Sequence, residues 1–389
     1  MTRKLKACTL LLMIVMMIIS CNHRSPAKET KKAVDPAPDT TPPPPVTLNE
    51  TDNLASFISG MPYIDNRCYH KIDSVIKWKK YANELDTLFS SGNKRRFSSM
   101  TQWADTELIR NQDITTLFYP FGGPDFLNAH IFYPGVDRYI MIGLEPVGYI
   151  PDVCKEIPDS VASYFNAVTN SMNDIFRRSY FITSRMNTDL NKAKANGTVP
   201  LISLFIKRTG HHILSIQRLG IDTLGNCLPI DSIKNQKNVI SGVKIDFTAQ
   251  KDQKVQSVYY FRTDISDAGL KKRRGFKTYL SKLPVSFTYL KAASYLMHFD
   301  DFKMIRDLVF EKSRTILQDD SGIAFKYFDV NKWDIKLYGK YSKPIKDFSY
   351  ISEPDLEKAY KTFPVKALDF TVGYSYKSGS ANLLYAIKK

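Results

Sequence analysis

Two acids and a histidine that lie close together in the chain could serve as acid and base in a hydrolytic reaction. Asp125 follows a Gly-Gly-Pro turn and precedes His130 by five residues, and Glu145 follows a predicted strand. Carboxyl groups and an imidazole on loops at strand ends are what acid/base or metal-assisted cleavage of a glycan requires. A hydrolase that uses Asp125 and Glu145 is therefore one hypothesis for the function.

Ordinary structural roles explain the same three residues. Asp125 would cap a helix that starts at Phe126. Glu145 would accept hydrogen bonds from a turn backbone, and His130 would pack at the surface. A carboxylate held by backbone N–H groups is a poor proton donor, so we expect Asp125 and Glu145 to support the fold or a binding cleft. On this account Asp125→Asn costs about 1 to 2 kcal/mol of stability.

Two further groups of polar residues could bind a cation. His298, Asp300 and Asp301 lie between two predicted helices, whose ends would use the same residues as caps. Asp319 and Asp320 begin a turn after a predicted helix, where adjacent acids could bind a cation or sugar hydroxyls. Neither spacing defines a metal site, and the sequence predicts no metal and no cofactor. The chain also lacks glycine-rich nucleotide loops, the GxSxG elbow and the HExxH motif, which disfavours those enzyme classes.

The N-terminus has the features of a bacterial lipoprotein signal. Residues 1–20 combine a basic start with an apolar run at 10–19, which is too short to cross a bilayer comfortably as a permanent helix. Ile18-Ile19-Ser20-Cys21 matches the lipobox, after which Cys21 becomes the first mature residue and carries acyl chains such as palmitate. An ordinary cleaved signal is the alternative.

The remaining chain divides by composition into a tether and a globular body. Residues 21–53 contain four consecutive prolines at 42–45 and few aliphatic side chains, so they cannot bury enough apolar surface to order themselves. Residues 54–389 form the body, with a candidate internal boundary near 222–238, where Gly, Asn and Pro cluster. The chain has 389 residues, 43% hydrophobic and 12% aromatic, which excludes wholesale disorder.

Hydrophobic periodicity predicts an α+β body, or a mixed α/β one, with helices interleaved with a largely antiparallel or mixed sheet. Alternation over 243–247, a polar segment and the run 255–262 predict an antiparallel hairpin. Further strands are predicted at 117–119, 139–144, 323–328, 333–341 and 368–374. Helices are predicted at 73–89, 97–109, 159–195, 276–283, 287–297, 302–316 and 354–363.

Three cysteines remain in the predicted body, Cys68, Cys154 and Cys227. Their odd number excludes a framework of paired cysteines and allows at most one disulfide, with one thiol left over. No CxxC or Cys/His spacing indicates zinc.

Three segments carry a resemblance to known sequences. They are YPFGGPDFL at 119–127, GLEPVG at 143–148 and ILQDDSG at 316–322. Together with the lipobox they resemble uncharacterised lipoproteins of Bacteroidota. The resemblance implies a compartment, the cell envelope, and attaches no activity to any residue.

Basic clusters indicate the kind of partner that an exported chain of net charge +16 would meet. Export makes lipopolysaccharide, anionic lipid headgroups or an acidic glycan the accessible partners and leaves no role for nucleic acid. Solvated helix faces explain the same residues. We therefore expect a lipid-anchored envelope protein that acts by binding or as an assembly component, and a subunit without its own site is a third hypothesis. The clusters are Lys94-Arg95-Arg96, Arg177-Arg178 and Lys271-Lys272-Arg273-Arg274.

Six triplets resemble the O-glycosylation acceptor pattern of exported Bacteroidota proteins. In each, Asp precedes a Ser or Thr that is followed by an aliphatic residue or Thr. Helix capping by Asp and Ser explains some of them. The predicted acceptors are Thr40, Ser74, Thr87, Ser160, Thr223 and Ser232, with Thr40 in the open tether as the foremost.

The predicted location is the outer membrane, with the protein facing the periplasm. Asn22, His23 and Arg24 lack the acidic residues that follow the lipidated Cys in surface lipoproteins of Bacteroidota. The lipid anchor makes the membrane itself a predicted partner.

Cys21→Ala should release the protein from membranes, because the acyl chains then have no attachment point. Carbonate-washed membranes measure the effect, and Cys8→Ala, inside the predicted signal, is the matched control that should remain bound. Cys21→Ala protein that stays fully membrane-bound contradicts the anchor. Protease protection in intact cells tests which face of the membrane carries the body.

Overall fold

The computed structural model describes residues 49–389 except 65–66, 157, 180–196, 234–238, 250–253, 345–350 and 375–380. The strands are β1 (Thr116–Tyr119), β2 (Arg138–Gly143), β3 (His211–Ile221), β4 (Cys227–Pro229), β5 (Ile240–Ala249), β6 (Val255–Arg262), β7 (Ser286–Leu290), β8 (Ser313–Gln318), β9 (Trp333–Gly339), β10 (Val365–Lys366) and β11 (Asn382–Lys388). The helices are α1 (Glu50–Ile58), α2 (Arg67–Ile76), α3 (Trp78–Gly92), α4 (Ser98–Glu107), α5 (Phe126–Phe132), α6 (Pro158–Arg178), α7 (Val199–Arg208), α8 (Asp267–Lys272), α9 (Arg274–Ser281), α10 (Lys303–Lys312) and α11 (Pro354–Thr362).

All eleven of these strands join one mixed sheet in the order β10-β9-β11-β8-β7-β1-β2-β6-β5-β3-β4. The five central strands, β8, β7, β1, β2 and β6, run parallel to one another. Antiparallel pairs extend the sheet on both sides, and β9 pairs with β10 in parallel at one edge. The predicted α+β class with a mixed sheet is confirmed.

Helices cover both faces of the sheet. Successive residues of the central strands belong to two separate cores, as Phe118 and Tyr119 of β1 show. The core that contains Tyr119 includes side chains of α1 to α7, and the core that contains Phe118 includes side chains of α8 to α11. Because side chains alternate between the faces of a strand, each central strand is buried on both sides.

Double-sided burial explains the main error of the sequence analysis. Segment 287–297 was predicted as helix, but Ser286–Leu290 is strand β7, every residue of which is buried, followed by a 3-10 turn over Ala292–His298. The end of the predicted helix 302–316 is likewise wrong, because Ser313–Gln318 is strand β8. A central parallel strand lacks the alternation of apolar and polar residues, so its pattern cannot be told from a buried helix.

The predicted strand and helix bounds were more accurate next to turns and helix caps than in the central strands. The hairpin is confirmed, since β5 pairs with β6 from Gly242–Phe261 to Thr248–Val255. Strands β1 and β2 and helix α11 lie within one or two residues of the predicted bounds. The strands predicted at 323–328 and 368–374 are wrong; a 3-10 turn occupies Phe325–Tyr327, and β10 and β11 lie outside the second range. The predicted helix 159–195 begins as α6, and its residues 180–196 lie outside the described residues.

Helix α1 begins inside the segment that composition assigned to the tether. Asn49 caps α1 by accepting a hydrogen bond from the Asp52 backbone N–H at 2.7 Å. The buried Asp52 carboxylate then accepts bonds from Lys207 Nζ and the Ile213 N–H, both at 2.7 Å. These contacts tie α1 to α7 and β3, so residues 50–53 belong to the body rather than to the predicted tether.

One compact unit includes Pro45–Lys389. The candidate boundary at 222–238 falls between β3 and β5, which pair with each other in the same sheet. Its residues 234–238 lie outside the described residues.

Cys68 and Cys154 form a disulfide with a Cα–Cα distance of 5.7 Å, and Cys227 is free. The bond links α2 to the loop before α6 across a sequence separation of 86 residues. A cross-link over a loop of this length removes much of the entropy of the unfolded chain.

Cys154→Ser should lower the free energy of unfolding by about 2 to 5 kcal/mol, and reduction of the parent protein should have the same effect. Urea unfolding with and without a reductant measures the change, and Cys227→Ser is the control that should respond to reductant like the parent. Thiol titration of the denatured, lipidated protein should find one free thiol. Three free thiols in freshly purified protein would contradict the bond.

Candidate functional site at the carboxyl edge of the parallel strands

The three segments that carry the sequence resemblance meet at one edge of the sheet. Parallel strands place their carboxyl ends side by side, and Asp125, Glu145 and Asp319 follow the ends of β1, β2 and β8. Lys291 follows β7 directly, between the strands that lead to Asp125 and Asp319. The site at this edge is therefore built from four neighbouring strands.

The strand order changes direction between β1 and β7. Helix α5 leads from β1 to β2 and packs in one core, whereas α10 leads from β7 to β8 and packs in the core on the opposite face. The two crossovers therefore leave the sheet on opposite sides. In open parallel sheets, ligands bind in the crevice that such a switch point creates at the carboxyl ends.

A buried ion pair fills this crevice. Lys291 Nζ lies 2.5 Å from Asp125 Oδ2, and the two side chains are 2% and 3% exposed. The ammonium group also donates to the carbonyl oxygen of Ser179 at 2.6 Å. Burial lowers the pKa of Lys291, while the Asp125 carboxylate opposes that shift. The pair joins the loops after β1 and β7 in a place that water does not reach.

Asp125 has further hydrogen bonds that fix its orientation. Its Oδ2 accepts from the Tyr119 hydroxyl at 3.0 Å, and its Oδ1 accepts from the Asn128 side-chain amide at 2.8 Å. The Asn128 backbone N–H also donates to Oδ1, at 3.4 Å, so Asp125 is the N-cap of α5. This capping role is the structural interpretation that the sequence predicted.

A π-helical turn between α3 and α4, Asn93–Phe97, brings a second cation towards this region. Arg96 is 7% exposed and donates to the carbonyl oxygen of Ile175 at 3.3 Å. Burial lowers the pKa of Arg96 to about 10, and the Asp125 charge opposes the shift. The expectation that Arg96 belongs to a surface anion-binding cluster is therefore wrong.

Asp319 is the second buried acid of the edge. Its carboxylate accepts hydrogen bonds from the hydroxyl of Ser321 and, at 3.1 Å each, from the backbone N–H groups of Ser321 and Tyr374. Burial, together with the charge of Asp320, raises the pKa of Asp319 to about 7. Gly373 has φ +61°, and a β-carbon there would overlap the Asp319 carboxylate and crowd Lys291, so the chain crosses both residues at close range.

Asp320 and Glu145 are also buried at strand ends. The Asp320 N–H donates to the side-chain oxygen of Asn382 at 2.8 Å. The Tyr260 hydroxyl donates to the Glu145 carbonyl oxygen at 2.8 Å and lies 3.4 Å from Oε2. Glycine at 143 leaves room for the Glu145 carboxylate, which a β-carbon would overlap. These contacts support a structural role for Glu145.

His130 lies away from this edge. It sits in the last turn of α5, with Nδ1 3.0 Å from the Tyr139 hydroxyl and its ring against that of His211. The Tyr139 hydroxyl donates to the Tyr133 carbonyl oxygen at 2.7 Å, so His130 Nδ1 is the donor to Tyr139. Burial lowers the pKa of His130 to about 3.

The metal candidates His298, Asp300 and Asp301 do not converge. The Asp300 side chain is 98% exposed and lies 4.0 Å from Arg306, whereas the His298 side chain is 8% exposed and faces Glu353. Asp301 is exposed as well. Among the described residues, no group of three or more His, Cys, Asp or Glu is placed to hold a metal ion.

Sequence reasoning missed Lys291 and Glu353. Lys291 was placed inside a predicted helix, and Glu353 immediately precedes the proline that begins α11. For Lys291 a usable signal was its position directly after the β-prone run Ser-Phe-Thr-Tyr-Leu.

The predicted modification sites fall on different parts of the chain. Thr87, Thr223 and Ser232 are exposed and Ser160 is half-buried. Cys21, Thr40 and the side chain of Ser74 lie outside the described residues.

Comparisons with protein-family models, curated proteins and solved structures find no match to this chain. The resemblance to Bacteroidota lipoproteins therefore stays a prediction. Within the part of the chain that the structure describes, no helix is both long and apolar enough to cross a membrane.

Asp125→Asn should lower the free energy of unfolding by about 3 to 5 kcal/mol, because it leaves Lys291 buried without its counter-charge. This loss exceeds the value expected from the cap alone. Chemical denaturation measures it, and Asp264→Asn, an exposed acid that bonds Ser266, is a control that should cost about 1 kcal/mol or less. An Asp125→Asn variant as stable as its parent, combined with lost glycan turnover, would favour the hydrolase instead.

Proposed function

We propose that this is an exported, lipid-anchored protein of the outer membrane whose body binds phosphate-bearing lipid headgroups of the envelope. A basic groove formed by α8, α9 and the start of α10 carries the proposal. Its volume is about 370 Å³, and its lining includes Lys271, Arg274 and Lys277. Phosphate oxygens accept hydrogen bonds from ammonium and guanidinium groups and gain from their charge.

The cations of this groove are available to a ligand. Lys271, Arg274 and Lys277 are exposed, and none forms an ion pair with a described residue. Some exposed lysines elsewhere have an acidic neighbour, as Lys361 does in Glu357 at 2.6 Å. A set of uncompensated cations in one concave surface attracts anions more strongly than the same charges dispersed.

The rest of the lining suits a lipid headgroup beside its acyl region. Met304 contributes apolar surface, and Thr278 and Ser281 contribute hydroxyl groups. An anchored protein is held next to such headgroups, which raises their effective concentration at the groove. Phosphate can come from lipopolysaccharide or from an anionic phospholipid, and the two sources share this chemistry.

Two observations support export to the envelope. The lipobox ending in Cys21 predicts processing and acylation at the membrane. The Cys68–Cys154 disulfide fits an oxidising compartment, since disulfides persist outside the reducing cytosol.

The hydrolase hypothesis has less support. The Asp125 carboxylate is committed to Lys291, Tyr119 and Asn128, and its side chain is 3% exposed. A general acid must reach the leaving group of its substrate, which these contacts prevent without rearrangement.

Neutralising the three groove cations should weaken binding to anionic vesicles by roughly 100-fold, since each basic residue near an anionic surface contributes about 1 kcal/mol. Co-sedimentation of the purified protein without its lipid anchor measures this binding. Separate samples contain phosphatidylglycerol vesicles, lipopolysaccharide micelles or phosphatidylcholine vesicles, so the comparison separates the two sources of phosphate. The variant combines Lys271→Gln, Arg274→Gln and Lys277→Gln.

The control makes the same change of net charge at exposed lysines outside the groove, with Lys80→Gln, Lys332→Gln and Lys358→Gln. It should bind like the parent apart from a small, salt-screened loss. Equal losses in both triple variants would contradict a groove-specific site.

A further inference from the structure

A second pocket lies where the loops after β7 and β8 meet the start of α11. Its volume is about 220 Å³, and His298, Phe299, Lys326, Ser352, Glu353 and Asp355 contribute to its lining. The basic groove and this pocket share no lining residue. The pocket is smaller than typical sites for drug-sized molecules, so one small ring is the largest occupant that it encloses.

Two buried polar side chains form part of this pocket. His298 and Glu353 side chains are 8% and 6% exposed, and Nε2 of His298 lies 3.6 Å from Oε1 of Glu353. Glu353 Oε2 accepts a hydrogen bond from the Phe325 N–H at 2.7 Å. His298 Nε2 is buried and makes no hydrogen bond with a described residue. A buried polar atom without a partner is costly in a fold that serves no ligand.

The pair is uncharged at neutral pH. Burial raises the pKa of Glu353 to about 8, and the charges of Asp320 and Asp319 add to the shift. Burial lowers the pKa of His298 to about 4. The contact between them is therefore not an ion pair; the protonated carboxyl offers a donor, and His298, whose ring also bonds the Gly322 backbone, offers Nε2 as an acceptor.

The surroundings favour an uncharged, hydroxylated ligand. Lys326 and Asp355 place one cation and one anion on the lining, so neither sign of charge is favoured. Helix α11 begins at Pro354, which has no N–H, and the N–H groups of Asp355 and Leu356 have no partner within the helix. Phe299 is 42% exposed and offers an apolar ring face. Paired donors and acceptors beside an aromatic ring match the alternating hydroxyl groups and C–H faces of a sugar.

We propose that the pocket between His298-Phe299 and the start of α11 binds one uncharged sugar ring, with Glu353 and His298 as its polar contacts. The site is independent of the lipid-binding groove, and either can fail without the other. A neutral sugar bound in the pocket lies next to the carboxyl end of β8.

Ligand-observed and protein-observed NMR at pH 7 with glucose, N-acetylglucosamine, glucuronate and glucosamine tests the ligand class. We expect saturable binding of at least one neutral sugar and about tenfold weaker binding of the two charged ones. No saturable binding of either neutral sugar, or tighter binding of a charged one, would overturn the proposal.

Substitutions test the residues. Glu353→Gln resembles the protonated acid and should retain binding, whereas Glu353→Ala and Phe299→Ala should each weaken it about tenfold. Asp334→Asn, an exposed acid outside the pocket, is the control and should bind within about twofold of the parent. Phe299 is exposed, so its variant stays informative if Glu353→Ala unfolds. Unchanged binding by both alanine variants would assign the sugar to another site.

The pH dependence gives an independent readout. Ionisation of Glu353 above pH 8 removes its donor, so sugar binding by the parent should weaken as the pH rises from 7 to 9. Glu353→Gln should show no such decline, and a decline of equal size in that variant would contradict the role of Glu353. The titratable or charged groups around the pair are Arg306, Asp319, Asp320, Lys326, Tyr341 and Asp355.

Discussion

The ion pair between Lys291 and Asp125 is the constraint on which the carboxyl edge of the sheet depends. A buried ammonium group without a counter-charge is strongly destabilising, so the loops after β1 and β7 must keep a fixed position relative to each other. Asp125 also begins α5, and the Lys291 ammonium holds the backbone at Ser179. One contact thereby links two strands, the first crossover helix and the end of α6.

Charged groups other than this pair are buried at the same edge. Arg96 and Lys291 bring two cations, and Asp125 and Asp319 bring two acids, of which Asp319 has a pKa raised to about 7. The chain at Gly373 closes over Asp319 and Lys291. The crevice that a switch point ordinarily offers to ligands is thus filled by the protein's own side chains. Two accessible polar surfaces lie outside this crevice, in the groove of α8 and α9 and in the pocket at α11.

Sequence patterns predicted the parts of this arrangement that are encoded locally. The cap at Asp125, the β5–β6 hairpin and strands β1 and β2 depend on neighbouring residues, and all of them are present. Strand β7 was missed because burial on both faces removes its polar alternation, and Lys291 was lost with it. The partner of Lys291, Asp125, lies in the loop after another strand, far earlier in the chain, and such a pairing leaves no trace in local periodicity. The burial of Arg96 follows from a π-helical turn that no composition rule indicates.

A double-mutant cycle with Asp125→Asn and Lys291→Met tests the central role of this pair most directly. Both residues are buried in one contact, so each single substitution leaves a partner group unsatisfied, while the double variant removes the charges together. The account predicts that the double variant loses less stability than the sum of the single variants, with a coupling energy of about 2 kcal/mol or more. Losses that add to within about 0.5 kcal/mol would show that the two residues act independently and would contradict the account.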